Sequence, residues 1–185
     1  KFYKCGSGGG SEEATIPQLK PEDVTVPGIV INGDAEDEDF SMWSSSGSEL
    51  SIVTEDNGNR AFLLTPNTGK KQWVYLMLTY NFTPGKTYKI EADVKVLGDE
   101  AGTPGESKVT CNFRYQDTEN GQNAYDHNTV FAVSGGEWAH MEGEFTVLTM
   151  DNPQDRVNQL SFYCNPIGEL GCKYMVDNIV VTMVD

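Results

Sequence analysis

Apolar and polar residues alternate along most of this chain, and that alternation constrains the fold more than any other feature of the sequence. In residues 88–96, Tyr, Ile, Ala, Val and Val alternate with Lys, Glu, Asp and Lys. Strict alternation is typical of a strand with one face in a core and the other in solvent. Further alternating or apolar runs cover residues 50–54, 74–82, 109–116, 141–147, 160–165 and 174–183.

Turn-forming residues separate these runs. Examples are Asp56-Asn57-Gly58, Thr83-Pro84-Gly85-Lys86 and Ser134-Gly135-Gly136. No stripe of apolar residues at helical spacing competes with the strands. About eight or nine short strands spaced in this way predict an all-β fold, a β-sandwich or jelly roll.

The domain organisation follows from where periodicity begins. Residues 1–27 have none and contain Gly6-Ser7-Gly8-Gly9-Gly10-Ser11, a composition typical of a flexible linker. Residues 28–185 are predicted to form one module. The chain begins at Lys1 without an initiator Met, so we expect it to be a piece of a longer protein.

The charge balance excludes several classes of partner. The chain has 28 acidic and 13 basic residues, a net charge of -15. A nucleic-acid partner requires a basic surface, so we expect none. No run of 18 apolar residues is present, so no membrane span is predicted.

The four cysteines are Cys5, Cys111, Cys164 and Cys172. They form no CxxC motif, which argues against a structural zinc site. The segment between Cys164 and Cys172 contains one Pro and two Gly and has the composition of a hairpin loop. A disulfide between these two and a pair of free cysteines both remain open. Cys111 is predicted to be a small core residue.

The solvent faces of three predicted strands carry the chemistry of a sugar-binding site. If the strands share a sheet, one face combines aromatic rings with amides and a guanidinium. Aromatic rings pack on the apolar face of a sugar, and the polar groups hydrogen-bond its hydroxyls. The alternative is a register slipped by one residue, with the rings covering an apolar edge. The candidate ligand-binding residues are Trp73, Tyr75, Asn112, Arg114, Gln116, Tyr163 and Asn165.

A dense acidic run covers residues 34–39. It does not match the EF-hand loop, which has acids at alternating positions and a Gly at the sixth. Its carboxylates could bind Ca²⁺ within a turn, or the run could be a solvated acidic loop.

An enzyme is the alternative to a binding module. Only His127 and His140 are available as histidines, and no GxSxG, HExxH or phosphate-binding loop is present. Glu142 and Glu144 lie on one strand face, where a glycosidase would need two carboxylates flanking a cleft. We therefore expect no catalysis, and retain a jelly-roll hydrolase or lyase as the alternative.

Several short motifs occur in a characteristic order. That order resembles the carbohydrate-binding modules of families 4, 9, 16 and 22 over residues 29–184. The motifs are Asn32-Gly33-Asp34-Ala35-Glu36 with Trp43, Asn59 to Leu64, Tyr80 to Tyr88, Ser134 to Trp138, Gly143 to Val147 and Tyr174 to Ile179. The resemblance implies a jelly roll of two antiparallel sheets, with a concave face that binds a single glycan chain. It also implies a non-catalytic appendage of a secreted glycoside hydrolase, such as a xylanase or glucanase.

The resemblance also implies a structural Ca²⁺ on the side away from the groove. The matching positions are Glu36 and Asp177, with backbone oxygens expected around Asp34 and from Gly58 to Arg60. Such modules usually have two aromatic platforms in the groove. Trp73 matches one, and the second remains open among Phe113, Tyr115 and Tyr125.

These observations predict a monomeric binding module for a soluble polysaccharide. Xylan is favoured over β-glucan by family frequency alone. The predicted module is covalently linked to a catalytic domain and is extracellular or on the cell surface.

Overall fold

The structure is a computed structural model that describes residues 33–38, 42–117, 122–125, 130–147 and 156–184. Within these residues the chain forms strands, turns and loops, and no helix there is long and apolar enough to cross a bilayer. The predicted linker, residues 1–27, and Cys5 lie outside the described residues, so the predicted domain boundary stays a prediction.

The described residues form eleven strands, more than the eight or nine predicted. They are β1 (Trp43–Ser46), β2 (Ser48–Thr54), β3 (Arg60–Pro66), β4 (Val74–Phe82), β5 (Thr87–Asp99), β6 (Ser107–Asp117), β7 (Gln122–Tyr125), β8 (Val130–Ser134), β9 (Trp138–Thr146), β10 (Arg156–Cys164) and β11 (Cys172–Met183).

The strands pair into two antiparallel sheets. Sheet A has the order β1-β4-β10-β6-β7, with β8 pairing a second part of β6. Sheet B has the order β2-β3-β11-β5-β9. The predicted all-β sandwich of two antiparallel sheets is therefore confirmed.

The core lies between the sheets and is built from the alternating residues. In β5 every second residue from Tyr88 to Val96 is buried, and the residues between them are partly exposed. In sheet A, Leu76 and Phe162 are likewise buried. Because each apolar residue of a pair of facing strands points inward, the alternation in the sequence is the pattern of the core.

One glycine carries the chain from one sheet to the other. Gly47 separates β1 in sheet A from β2 in sheet B and has a φ of 72°. A Cβ at this position would lie 2.7 Å from the Trp73 carbonyl oxygen. Glycine is required here because both the left-handed backbone and the close approach exclude a side chain.

Two links cross the sandwich. Cys164 in β10 and Cys172 in β11 form a disulfide, which decides between the two alternatives left open by the sequence. Close by, the buried Tyr174 hydroxyl of β11 donates a 2.9 Å hydrogen bond to the Val74 carbonyl of β4. Cys111 is buried and free, as predicted.

Candidate functional site

Three aromatic side chains form a cluster on the outer face of sheet A. We call Trp73, Tyr75 and Tyr163 the ring cluster. The Tyr163 ring centroid lies 5.9 Å from that of Trp73 and 5.7 Å from that of Tyr75. Tyr75 and Tyr163 are direct register partners on β4 and β10. Trp73 immediately precedes β4 and is 47 % exposed, so its ring is open to a ligand.

The register of β4 is the one predicted. Val74, Leu76 and Leu78 are buried, which places Tyr75 on the opposite, outer face. The alternative of a register slipped by one residue is therefore wrong for this strand.

A buried polar pair lies beside the ring cluster, one step further along the strands. Asn112 of β6 and Ser161 of β10 are register partners and are 5 % and 1 % exposed. The Asn112 Oδ1 and Ser161 Oγ atoms have no hydrogen-bond partner among the described residues. Because buried polar groups are nearly always paired, these two atoms are expected to bind a water, a ligand hydroxyl or a group outside the described residues.

The remaining predicted ligand-binding residues lie on the same face. Arg114 and Gln116 occupy outer-face register positions in β6, and their side chains lie outside the described part of the structure. Asn165 follows β10 and is partly buried, and its backbone N–H donates to the Lys108 carbonyl at 3.0 Å. The register thus brings the predicted positions in β4, β6 and β10 to one face, and Asn165 lies just beyond the end of β10.

Sequence reasoning missed an exposed aromatic residue on this face. Phe131 of β8 is the register partner of Thr110, which is itself the partner of Tyr163. Phe131 is 55 % exposed, and Lys108 Nζ lies 4.3 Å from its ring centroid. Phe113 is buried in the core, so it does not supply the second platform.

For the other two candidates for a second platform, Tyr115 and Tyr125, the structure gives only the register positions. Tyr115 alternates with the outer-face positions of β6 and pairs with Ala124. Tyr125 is the register partner of Arg114, and its side chain lies outside the described residues.

The start of the module and its last strand meet, as the calcium prediction requires. The Ile179 N–H of β11 donates to the Gly33 carbonyl at 2.9 Å. Asp177 is 3 % exposed, and burial raises the pKa of its carboxyl, with the nearby Asp93 and Asp34 charges acting in the same direction. A buried carboxylate with two further carboxylates beside it is a donor set that fits Ca²⁺. Asp93, which sequence reasoning missed, is the register partner of Asp177.

The other predicted metal positions are arranged differently. The Glu36 N–H donates to Asp34 Oδ1 at 3.3 Å, and the Glu36 carbonyl accepts from Arg60 Nη1 at 2.9 Å. The Arg60 guanidinium thus lies against the acidic run, where it contributes a positive charge. Gly58 lies in an exposed turn with a φ of 87°.

The outer face of sheet B carries a network of charged residues that includes His140 and Glu142. His140 Nδ1 lies 2.7 Å from Asp93 Oδ1, and this hydrogen bond raises the pKa of the imidazole. His140 Nε2 lies 3.5 Å from Glu142 Oε2. The Lys89 charge lowers the pKa of Glu142, at an Nζ–Oε1 distance of 3.7 Å. Glu142 and Glu144 are exposed, and both lie on the opposite side of the sandwich from the ring cluster.

Comparison with known proteins assigns the chain to a family. Residues 27–163 match the family model described as a carbohydrate binding domain, CBM_4_9. The chain belongs to this family. Carbohydrate-binding domains of this family are non-catalytic, as the sequence led us to expect. No curated protein matches the sequence.

Solved structures of carbohydrate-binding modules share the fold. The CBM22-1 xylan-binding domain of Paenibacillus barcinonensis Xyn10C has a TM-score of 0.61 at 17 % identity, covering 83 % of this chain and 92 % of that one. A CBM4 structure has a TM-score of 0.55 at 14 % identity, covering 77 % of this chain and 95 % of that one.

A third match is a larger, multimodular structure. The CBM22-1 and GH10 modules of Clostridium thermocellum endo-1,4-beta-D-xylanase 10B, complexed with xylohexaose, give a TM-score of 0.59 at 17 % identity. The match covers 79 % of this chain and 27 % of that chain. At such identities the likeness is one of fold.

Proposed function

We propose that this carbohydrate-binding domain binds a single soluble xylan chain along the outer face of sheet A. The ring cluster is the observation that carries the proposal. Trp73 is 47 % exposed and lies within 5.9 Å of the Tyr163 ring, centroid to centroid. An exposed tryptophan costs solvation energy that is recovered when a sugar covers the ring, because the apolar C–H face of a pyranose packs against it.

Hydrogen bonds supplement the stacking. Asn112 Oδ1 and Ser161 Oγ, which have no partner among the described residues, lie beside the ring cluster, and the register positions of Arg114 and Gln116 continue the same face. These bonds replace bonds to water, so each adds only about 0.5–1.5 kcal/mol. We therefore expect modest affinity, dominated by Trp73.

The biological role we propose is targeting. Held on a polysaccharide, a domain raises the effective concentration of substrate for a glycoside hydrolase linked to it. We favour xylan over β-glucan because several structures that share this fold are xylan-binding domains. An extracellular or cell-surface location is supported by the Cys164–Cys172 disulfide, since disulfides persist in oxidising compartments.

Affinity electrophoresis tests the proposed function. Native gels containing xylan, β-glucan or no polysaccharide are compared. Migration of the wild-type domain should be slowed most by xylan, and Trp73→Ala should migrate as in the empty gel. Unchanged mobility on both polysaccharides would refute the proposal, and equal retardation of Trp73→Ala would move the site elsewhere.

The enzymatic alternative has its own test. Wild-type protein is incubated with xylo- and gluco-oligosaccharides, and the products are separated by chromatography. We expect no cleavage. Cleavage that is lost in His140→Ala or Glu142→Gln would overturn the binding-module proposal.

We further propose a structural Ca²⁺ bound by Asp34, Glu36 and Asp177, with Asp93 nearby. The buried Asp177 carboxyl and its two acidic neighbours support it, because a divalent cation relieves their repulsion. EDTA should lower the melting temperature, added Ca²⁺ should restore it, and Glu36→Gln should reduce the difference. Equal melting temperatures in EDTA and in Ca²⁺ would contradict the calcium site and favour a solvated acidic loop at residues 34–39.

A further inference from the structure

The outer face of sheet A has a charge balance opposite to that of the whole chain. The chain carries a net charge of -15. At the paired outer-face positions that the structure describes in β1, β4, β6, β7, β8 and β10, no Asp or Glu occurs. Three cationic residues do occur there, Lys108 and Arg114 in β6 and Arg156 in β10. Among the described register positions of this face, the charged residues are therefore all basic, in contrast to the chain as a whole.

Lys108 differs from three other lysines, which form ion pairs. Lys71, Lys89 and Lys95 each lie within 3.4 Å of a glutamate oxygen. Lys108 has no carboxylate partner among the described residues, and its ammonium lies over the exposed Phe131 ring at 4.3 Å. A cation–π contact holds the ammonium at the surface without neutralising its charge.

The position of Phe131 connects this ammonium to the ring cluster. One row of register partners leads from Tyr75 through Tyr163 and Thr110 to Phe131. Neighbouring strands are about 4.8 Å apart, so the row spans about 14 Å across the sheet. A short oligosaccharide stacked on the ring cluster and running across the strands would reach the Lys108 ammonium.

We propose that the ligand is an anionic polysaccharide, a xylan-type chain carrying uronic acids, and that Lys108 binds a uronate carboxylate. This inference rests on the proposed function, because the ring cluster must first hold the sugar chain. Phe131 supplies an apolar surface for the sugar that bears the carboxylate. The absence of carboxylates at the described paired positions of this face removes the repulsion that an acidic protein would otherwise exert on such a polymer.

Binding to glucuronoxylan and to the same polymer after carboxyl reduction tests the proposal. In low salt, wild-type protein should bind glucuronoxylan about two- to fivefold more tightly than the carboxyl-reduced polymer. This is the range expected for one solvated ion pair. The preference should vanish in Lys108→Gln, which keeps its affinity for the reduced polymer. Lys86→Gln, in the exposed β4–β5 turn, makes the same charge change and should behave as wild type.

Salt and a second anion complete the design. Raising the salt concentration should remove the preference of the wild type, because a solvated pair is screened. Equal wild-type affinity for both polymers in low salt would overturn this inference and leave the proposed function intact. If sulfation of the carboxyl-reduced xylan raised the affinity as much as the uronates do, the assignment to a uronate would be overturned. No affinity for either polymer would overturn both proposals.

Discussion

The two outer faces of this sandwich differ in whether their polar groups are already partnered. On sheet B, Glu55 accepts hydrogen bonds from Lys95 Nζ at 2.9 Å and from Trp138 Nε1 at 3.2 Å. On sheet A, Asn112 Oδ1 and Ser161 Oγ are buried without a partner among the described residues, and Trp73 projects into solvent. Side chains that satisfy one another stabilise the fold, whereas unpartnered groups are available to a ligand.

The same contrast applies to the two tryptophans at the outer faces. The Trp138 ring is partly buried, hydrogen-bonded to Glu55 and within 5.8 Å of Lys95 Nζ. Trp73 contacts another ring at its edge and exposes much of its surface. We therefore expect Trp138 to contribute to stability and Trp73 to contribute to binding.

The largest expected effect is on the stability of the whole sandwich, because the disulfide joins the two sheets. Replacing Cys164 and Cys172 by Ala should lower the free energy of unfolding by about 2–3 kcal/mol, because the cross-link restricts the unfolded chain. Urea denaturation measures this change. A reducing agent should shift the wild-type midpoint toward that of the double variant and leave the variant unchanged. A wild-type midpoint that is insensitive to reduction would contradict the link.

The second prediction tests whether sheet A contributes to binding rather than to stability. Trp73→Ala should weaken xylan binding by about tenfold or more, at least about 1.4 kcal/mol, while the free energy of unfolding changes by about 0.5 kcal/mol or less. Isothermal titration calorimetry and urea denaturation give the two quantities.

The matched control is Trp138→Ala on sheet B. It should lower the free energy of unfolding by about 1 kcal/mol, through loss of the Glu55 hydrogen bond and the Lys95 contact, and leave xylan affinity unchanged. If the two variants weakened binding equally, the assignment of binding to sheet A would be wrong.

The smallest effect concerns only sheet B and depends on pH. The hydrogen bond to Asp93, with the Glu142 contact, raises the pKa of His140 above its unfolded value. Its contribution to stability is then complete below the unfolded pKa and is lost as pH rises through the folded pKa. The stability difference between wild type and His140→Gln should therefore be larger at pH 6 than at pH 8, with xylan affinity unchanged. A difference independent of pH would rule out the Asp93–His140 pair as a stabilising contact.

The alternation predicted the sandwich and the face of the ring cluster. The buried residues of β5 from Tyr88 to Val96 were correctly assigned, since Lys, Glu and Asp separate the apolar residues and leave one choice of inner face. Trp73 and Tyr75 were assigned in the same way, from the aliphatic residues between and after them. The pairing of Cys164 with Cys172 stayed open because spacing alone does not fix the direction of two side chains.

Phe131 was missed because β8 gives no such contrast. In Val130–Ser134 both faces are largely apolar, so alternation in the sequence does not distinguish Phe131 and Val133 from the buried residues. Their exposure depends on the pairing of β8 with β6, a long-range contact. The strand number was underestimated for a related reason, since a single residue, Gly47, separates β1 from β2.

Chemical-shift mapping during a titration with xylohexaose tests the central claim most directly. We predict that the backbone amides of β4, β6 and β10 and the Trp73 indole N–H shift with a common saturation curve. The amides of β5 and β9 on sheet B should stay in place. Shifts concentrated on β5 and β9, or an unchanged spectrum at saturating ligand, would contradict binding at the outer face of sheet A.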